Sequence, residues 1–158
     1  MNQPVFFGNQ GYSFERLPRK LITIELDATS NSFNRYVLFE PLIIDKLSDI
    51  YIDSFITNKI NATSSNDSVF IMDVSEFSIK AISNDAKYNN KIIIPNNGGN
   101  AQADTTIGHR SGKFNYVASI NPTTLSELNI QLKSHDEGAI GDDSDSQAFI
   151  TFMFVARD

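Results

Sequence analysis

The chain contains no cysteine, no tryptophan and only two histidines among its 158 residues. Without cysteine there is no disulfide to staple the fold and no thiolate zinc site, and the redox compartment leaves no trace in the sequence. Basic residues are scarce as well. Thirteen Lys and Arg against 19 Asp and Glu leave a net charge of −6. No cluster among them could neutralise a phosphate backbone, so no nucleic-acid partner is expected. No apolar run approaches the ~18 residues of a spanning helix, so no membrane span is expected. The start, Met1-Asn2-Gln3-Pro4, has neither the basic nor the apolar region of a secretory signal, and none is expected. Helical periodicity is nearly missing too; residues 124–128 could make one turn.

What is present is period two. At 158 residues a single domain can bury about two-thirds of its unfolded surface, enough to fold without a metal or disulfide. Two stretches near the C-terminus organise it. Within residues 118–133, Leu128, Ile130 and Leu132 alternate with Asn129, Gln131 and Lys133, the pattern of a half-buried strand. Within residues 147–156, Ile150, Phe152 and Phe154 fill one face, while Phe149, Met153 and Val155 make the other apolar too. Such a strand belongs in the middle of a sheet with its back covered.

The earlier strands are laid out around these. Residues 20–27 place Ile22, Ile24 and Leu26 inward. Residues 35–40 form a strand ended by Pro41, which cannot donate to a ladder, and 42–46 read as an apolar link. Residues 47–57 put Ile50, Ile52 and Ile56 on one face, with Tyr51 and Phe55 on the other. Residues 68–82 change phase: Phe70, Met72 and Val74 share a face, yet Phe77, Ile79 and Ala81 sit an odd number of positions away. A bulge near Ser75-Glu76 would restore the face, as would two short strands. Residues 91–95 and 113–120 complete the set, with turns at 83–90 and 121–124.

Eight strands result, and the polar loops 28–34, 58–67, 96–112 and 134–146 would all gather at one end. That arrangement predicts an all-β fold: a single eight-stranded antiparallel jelly-roll sandwich over residues 20–158, its last strand lying between the first and third. Residues 1–19 form an extended N-terminal arm. Its Phe6, Phe7, Tyr12 and Phe14 argue against a purely solvated tail, although a frayed terminus has the same lack of periodicity.

Candidate chemistry is sparse. His135 precedes Asp136 and Glu137, and His109 lies beside Arg110, but adjacent loop residues rarely converge on one metal ion. The acidic run Gly141-Asp142-Asp143-Ser144-Asp145-Ser146 lacks the spacing and terminal Glu of an EF-hand. It reads as a solvated loop, with calcium shared between subunits as the alternative. Asn97-Gly98-Gly99 has no following Lys-Ser/Thr, and no Gly-Xaa-Ser-Xaa-Gly elbow occurs, so neither a phosphate loop nor a serine nucleophile is indicated. The sequons at Asn61 and Asn66 fall in a polar loop where chance matches are common. No catalytic, cofactor-binding or metal residue is expected.

The blocks Asp49-Ile50-Tyr51-Ile52-Asp53-Ser54-Phe55, Val69-Phe70-Ile71-Met72-Asp73-Val74-Ser75-Glu76-Phe77, Ile92-Ile93-Ile94-Pro95-Asn96 and Ile120-Asn121-Pro122-Thr123-Thr124-Leu125 resemble the small single jelly-roll capsid proteins of large double-stranded DNA viruses. The resemblance spans about residues 20–156. It is a pattern of strands and turns, not a catalytic signature. It implies a structural, non-enzymatic role in the virion, first as the penton: a homopentamer at the five-fold vertex, assembled inside the host cell and touching neighbouring major and minor capsid proteins through its arm. The alternatives are another minor capsid, cement or fibre-head protein, and a jelly-roll carbohydrate-binding module. The last usually offers exposed aromatics, often Trp, which this chain lacks.

Overall fold

The structure is a computed structural model that describes residues 18–60, 68–96, 106–110, 115–142 and 144–158. Among these residues there is no helix. The strands are β1 (Arg19–Leu26), β2 (Asn34–Ile44), β3 (Ser48–Asn58), β4 (Val69–Val74), β5 (Ile92–Pro95), β6 (Thr106–Arg110), β7 (Tyr116–Ile120), β8 (Thr123–Ser134) and β9 (Gln147–Ala156). They make two antiparallel sheets packed face to face. One has the order β1-β9-β3, with β6 and β7 following one another along the far edge of β3; the other has the order β2-β8-β4-β5. The extended arm expected for residues 1–19 falls outside the described residues as far as position 17. Pro18 and Arg19 are tied to the sheet, since the Ala156 N–H donates to the Pro18 carbonyl and Arg19 pairs with Val155.

β9 lies between β1 and β3, as its apolar sequence predicts. Its Ala148, Ile150, Phe152 and Phe154 point into the core together with Ile22, Ile24 and Leu26 of β1. β8 occupies the equivalent centre of the opposite sheet and contributes Leu128, Ile130 and Leu132 to the same core. The two organising stretches therefore face each other across the sandwich. The back of β9 is covered only in part: Val155 is buried, while Phe149 and Met153 remain half-buried. Met153 sits in a row running Leu21, Met153, Tyr51, Tyr116 across the sheet, and these neighbours supply its partial cover.

Several local expectations are corrected. β2 does not end at Pro41 but continues to Ile44. Val37 pairs with Glu127 and Leu42 with Leu125, so residues 38–41 lie opposite Ser126 alone. Pro41 is tolerated because this is an edge strand and the position is bulged, where no ladder donor is required. Residues 124–128 are strand, not a helical turn. Part of the loop expected at 96–112 is the strand β6, which extends the β3 edge. In β3, Ile52 pairs with Phe152 and Ser54 with Thr151. Asp53 is thus an extra residue that flips the faces beyond it: Phe55 is buried and Ile56 is exposed, the reverse of strict alternation.

The phase change after β4 is resolved by a turn. The Phe77 N–H donates to the Val74 carbonyl at 3.1 Å, and the Ser75 N–H continues the ladder to the Asn129 carbonyl at 3.0 Å. Glu76 then replaces a missing strand partner with its side chain. Its carboxylate accepts from the Asn129 backbone N–H at 2.9 Å and from Asn129 Nδ2 at 2.7 Å. The turn returns Phe77 to the core, where its ring meets Phe152 at 5.1 Å and Phe154 at 5.9 Å. Glu76→Ala leaves the Asn129 N–H without its charged acceptor and should lower stability by about 1–2 kcal/mol. Urea melts of the variant would check this, and an unchanged midpoint would show that solvent replaces the carboxylate freely.

Three of the four loops expected to gather at one end, 28–34, 58–67 and 134–146, do so in their described portions. The Gly141 N–H donates to the Ala28 carbonyl, Asn31 Nδ2 to the Glu137 carbonyl, and Ser146 Oγ to the Lys59 carbonyl.

Candidate interaction surface

The bulge in β2 turns an edge strand into a protrusion. Leu38 packs inward against the core, which forces the next residue outward, and Phe39 is 102% exposed. Val37 and Ile43 flank it at 67% and 60%. Exposed single apolar residues are ordinary, but three on one open edge form an unpaired apolar surface of the kind edge strands normally avoid. Glu40, next to Phe39, is exposed as well. β1 borders this flank: Lys20 Nζ donates to the Ile43 carbonyl and faces Asp45.

The opposite flank is concave. Between the β5 edge of one sheet and the β7 edge of the other lies a groove of about 330 Å³, lined by Ile52, Ile79, Ile94, Tyr116 and Val117 with Lys80 on its rim. It opens because β5 is only four residues long and β7 carries an extra residue, Val117, between the positions that pair with Ile50 and Tyr51.

At the end away from the loops, the C-terminus is clamped. The Arg157 N–H donates to the Leu47 carbonyl, and its guanidinium contacts Asp49 through Nε at 3.0 Å and Nη2 at 2.6 Å. Ser119 Oγ donates to Asp49 at 2.7 Å and accepts from Arg157 Nη2 at 2.8 Å. The single hydroxyl proton of Ser119 being committed, Tyr116 must donate its own across the 2.9 Å contact. Hydrogen bonding to Arg157 holds the Asp49 carboxyl below its ordinary value of 3.8. Burial, followed by the Asp49 charge, pushes the Tyr51 hydroxyl up. A carboxyl whose pKa is lowered on folding contributes stability above its unfolded value, and that contribution disappears as pH falls through the folded one. Asp49→Asn should therefore be less stable than the parent at neutral pH, with the gap narrowing in acid as the carboxyl is protonated. Paired urea melts at neutral and acid pH would check it; a gap of equal size in both would remove the charge from the explanation.

The residues weighed for chemistry do not converge. His135 Nδ1 contacts Asp136 at 3.3 Å, and its ring lies 6.4 Å from that of Tyr88. Glu137 points instead toward Lys133, at 3.8 Å. In the acidic loop Asp145 pairs with Lys59 at 3.6 Å, and Asp143 lies outside the described residues. Among the described residues no three His, Asp or Glu side chains come together as a metal site. His109 lies in β6; the sequons and Asn97-Gly98-Gly99 fall in or beside stretches outside the described residues. Neither flank was singled out in the sequence, where residues 35–40 read as an ordinary strand. The odd apolar count of Val37 and Phe39 opposite Tyr36 and Leu38 was the available signal. Compared with known proteins, the chain matches no family model and no curated protein.

Proposed function

We propose that this chain is a structural protein of a virion, the penton that forms a homopentamer at the five-fold vertices of a large icosahedral DNA virus. The observation that carries the reading is the strand order. Sheets ordered β1-β9-β3-β6/β7 and β2-β8-β4-β5, with β6 and β7 sharing one edge, support reading the sandwich as a jelly roll. That architecture is frequent in capsid and lectin domains. Fold alone does not choose between such roles; the strand-and-turn blocks in the sequence favour the capsid. Among the described residues no helix is long and apolar enough to cross a membrane.

The test is native mass spectrometry of the full chain with particle imaging. A closed ring of five copies supports the penton. A persistent monomer that binds a glycan array overturns it in favour of a carbohydrate-binding module. The arm adds a separate expectation. Phe6, Phe7, Tyr12 and Phe14 with the basic Arg16 suit a contact with an acidic neighbour, either another copy or the surrounding shell. Deleting residues 1–17 should leave the melt within ~0.5 kcal/mol of the parent and impair incorporation into capsids. A truncated chain that fails to fold would place the arm in the core.

A further inference from the structure

We infer that copies of this chain associate head to tail, the Phe39 protrusion of β2 on one copy seating in the groove between β5 and β7 of the next. This deepens the capsid reading by naming the contact, and rests on that reading only for the expectation that the assembly closes as a ring of five.

Three observations point to a second copy as the occupant. The first is position. β2 and β5 are the two open edges of one four-stranded sheet, so protrusion and groove lie on opposite flanks of the same body. A contact between patches on opposite flanks cannot be made reciprocally within one two-fold pair. It repeats from copy to copy until a rotation closes it.

The second is shape and polarity. The protrusion presents a fully exposed aromatic ring flanked by Val37 and Ile43. The groove, about 330 Å³, has an apolar part formed by Ile79, Pro95, Tyr116 and Val117, and Lys80, Lys91 and Asn115 line it as well. Aromatic anchors seated in apolar pockets are the usual centre of a stable interface.

The third is charge. Glu40 beside Phe39 and Lys80 on the groove rim are both exposed, and neither has an ion-pair partner among the described residues. With Phe39 seated, the adjacent Glu40 carboxylate would lie at a groove whose lining includes the Lys80 ammonium. With a net charge of −6, two copies repel in general, so a local opposite pair also fixes which flanks meet.

The experiment compares the full chain with Phe39→Ala, Glu40→Lys, Lys80→Glu and the combined Glu40→Lys/Lys80→Glu by native mass spectrometry and sedimentation, with a thermal melt of each. All three positions are exposed, so the melts should coincide. The parent chain should self-associate. Phe39→Ala should weaken the association about tenfold or more. Each charge reversal alone should weaken it, and the double reversal should restore it. Mixing Phe39→Ala, which keeps its groove, with Lys80→Glu, which keeps its protrusion, should enrich one-to-one pairs over larger rings.

A monomeric parent chain overturns the inference. So does an oligomer indifferent to Phe39→Ala, which would leave the penton reading standing with a different contact. A ring of another size that Phe39→Ala disperses upholds the contact and overturns the penton. If Lys80→Glu shifts the melt and not the mass, the groove is filled by the chain's own residues and the inference fails.

Discussion

Phe152→Ala is expected to destabilise the protein by about 3–5 kcal/mol, the range for emptying a buried aromatic site. Phe152 has no exposed surface. It lies in register with Ile22 on one side and Ile52 on the other, at the centre of the central strand. Its ring meets that of Phe77 edge-on at 5.1 Å, so truncation also removes the partner that holds the turn after β4 in the core. Those neighbours are backbone-paired strands that cannot collapse into the space, and a cavity remains. Met153→Ala, one residue along on the half-buried outer face, should cost clearly less. Urea denaturation of both variants provides the comparison. A loss below ~1 kcal/mol for Phe152→Ala would mean that the sandwich tightens around the gap.

Gly141→Ala is the second large effect, at about 2–3 kcal/mol. A Cβ on residue 141 would lie 2.4 Å from Ser146 Cβ, 2.6 Å from Ser146 Oγ and 3.4 Å from Ala28 Cβ. The closest of these atoms is fixed by the backbone, so no rotamer change relieves the contact. The loop cannot easily move away either. Gly141 donates to the Ala28 carbonyl and Ser146 donates to the Lys59 carbonyl at 2.7 Å, which ties three loops together at this point. Lys59 itself has φ of 51°, a left-handed conformation that costs energy for a residue with a side chain. If the clash is the cause, Ser146→Gly should recover part of the loss in the Gly141→Ala background while being destabilising alone. Equal additive losses in the double variant would put the cost in the backbone of residue 141 instead.

Much of the sandwich could be read from alternation because its central strands are regular over most of their length. Ile22, Ile24 and Leu26, then Phe70, Met72 and Val74, then Leu128, Ile130 and Leu132 all point inward as period two requires. The misreadings cluster where one residue is added or a turn intervenes. Asp53 exchanged the faces of Phe55 and Ile56, and residues 38–41 carried β2 through Pro41. A bulge has no composition of its own: whether an extra residue loops out depends on the register of the strands on either side, which are distant in the chain. The interaction surface was hidden for a related reason. Alternation with Leu38 already puts Phe39 outside, but that β2 is an open edge is decided by the strand order. The Asp49–Arg157 clamp joins positions 108 apart with nothing local to announce it.

By itself, then, the sequence determined that this chain is all-β, that its last strand is central and that three of its polar loops collect at one end. These follow from side-chain hydrophobicity at a spacing of two, a property each segment carries alone. Only the tertiary structure decided which residues of an edge strand reach solvent, where a groove opens between two sheets and which carboxylate meets which guanidinium. Those depend on the register between strands far apart in the chain, and a shift of one residue there reverses every face that the local pattern had assigned.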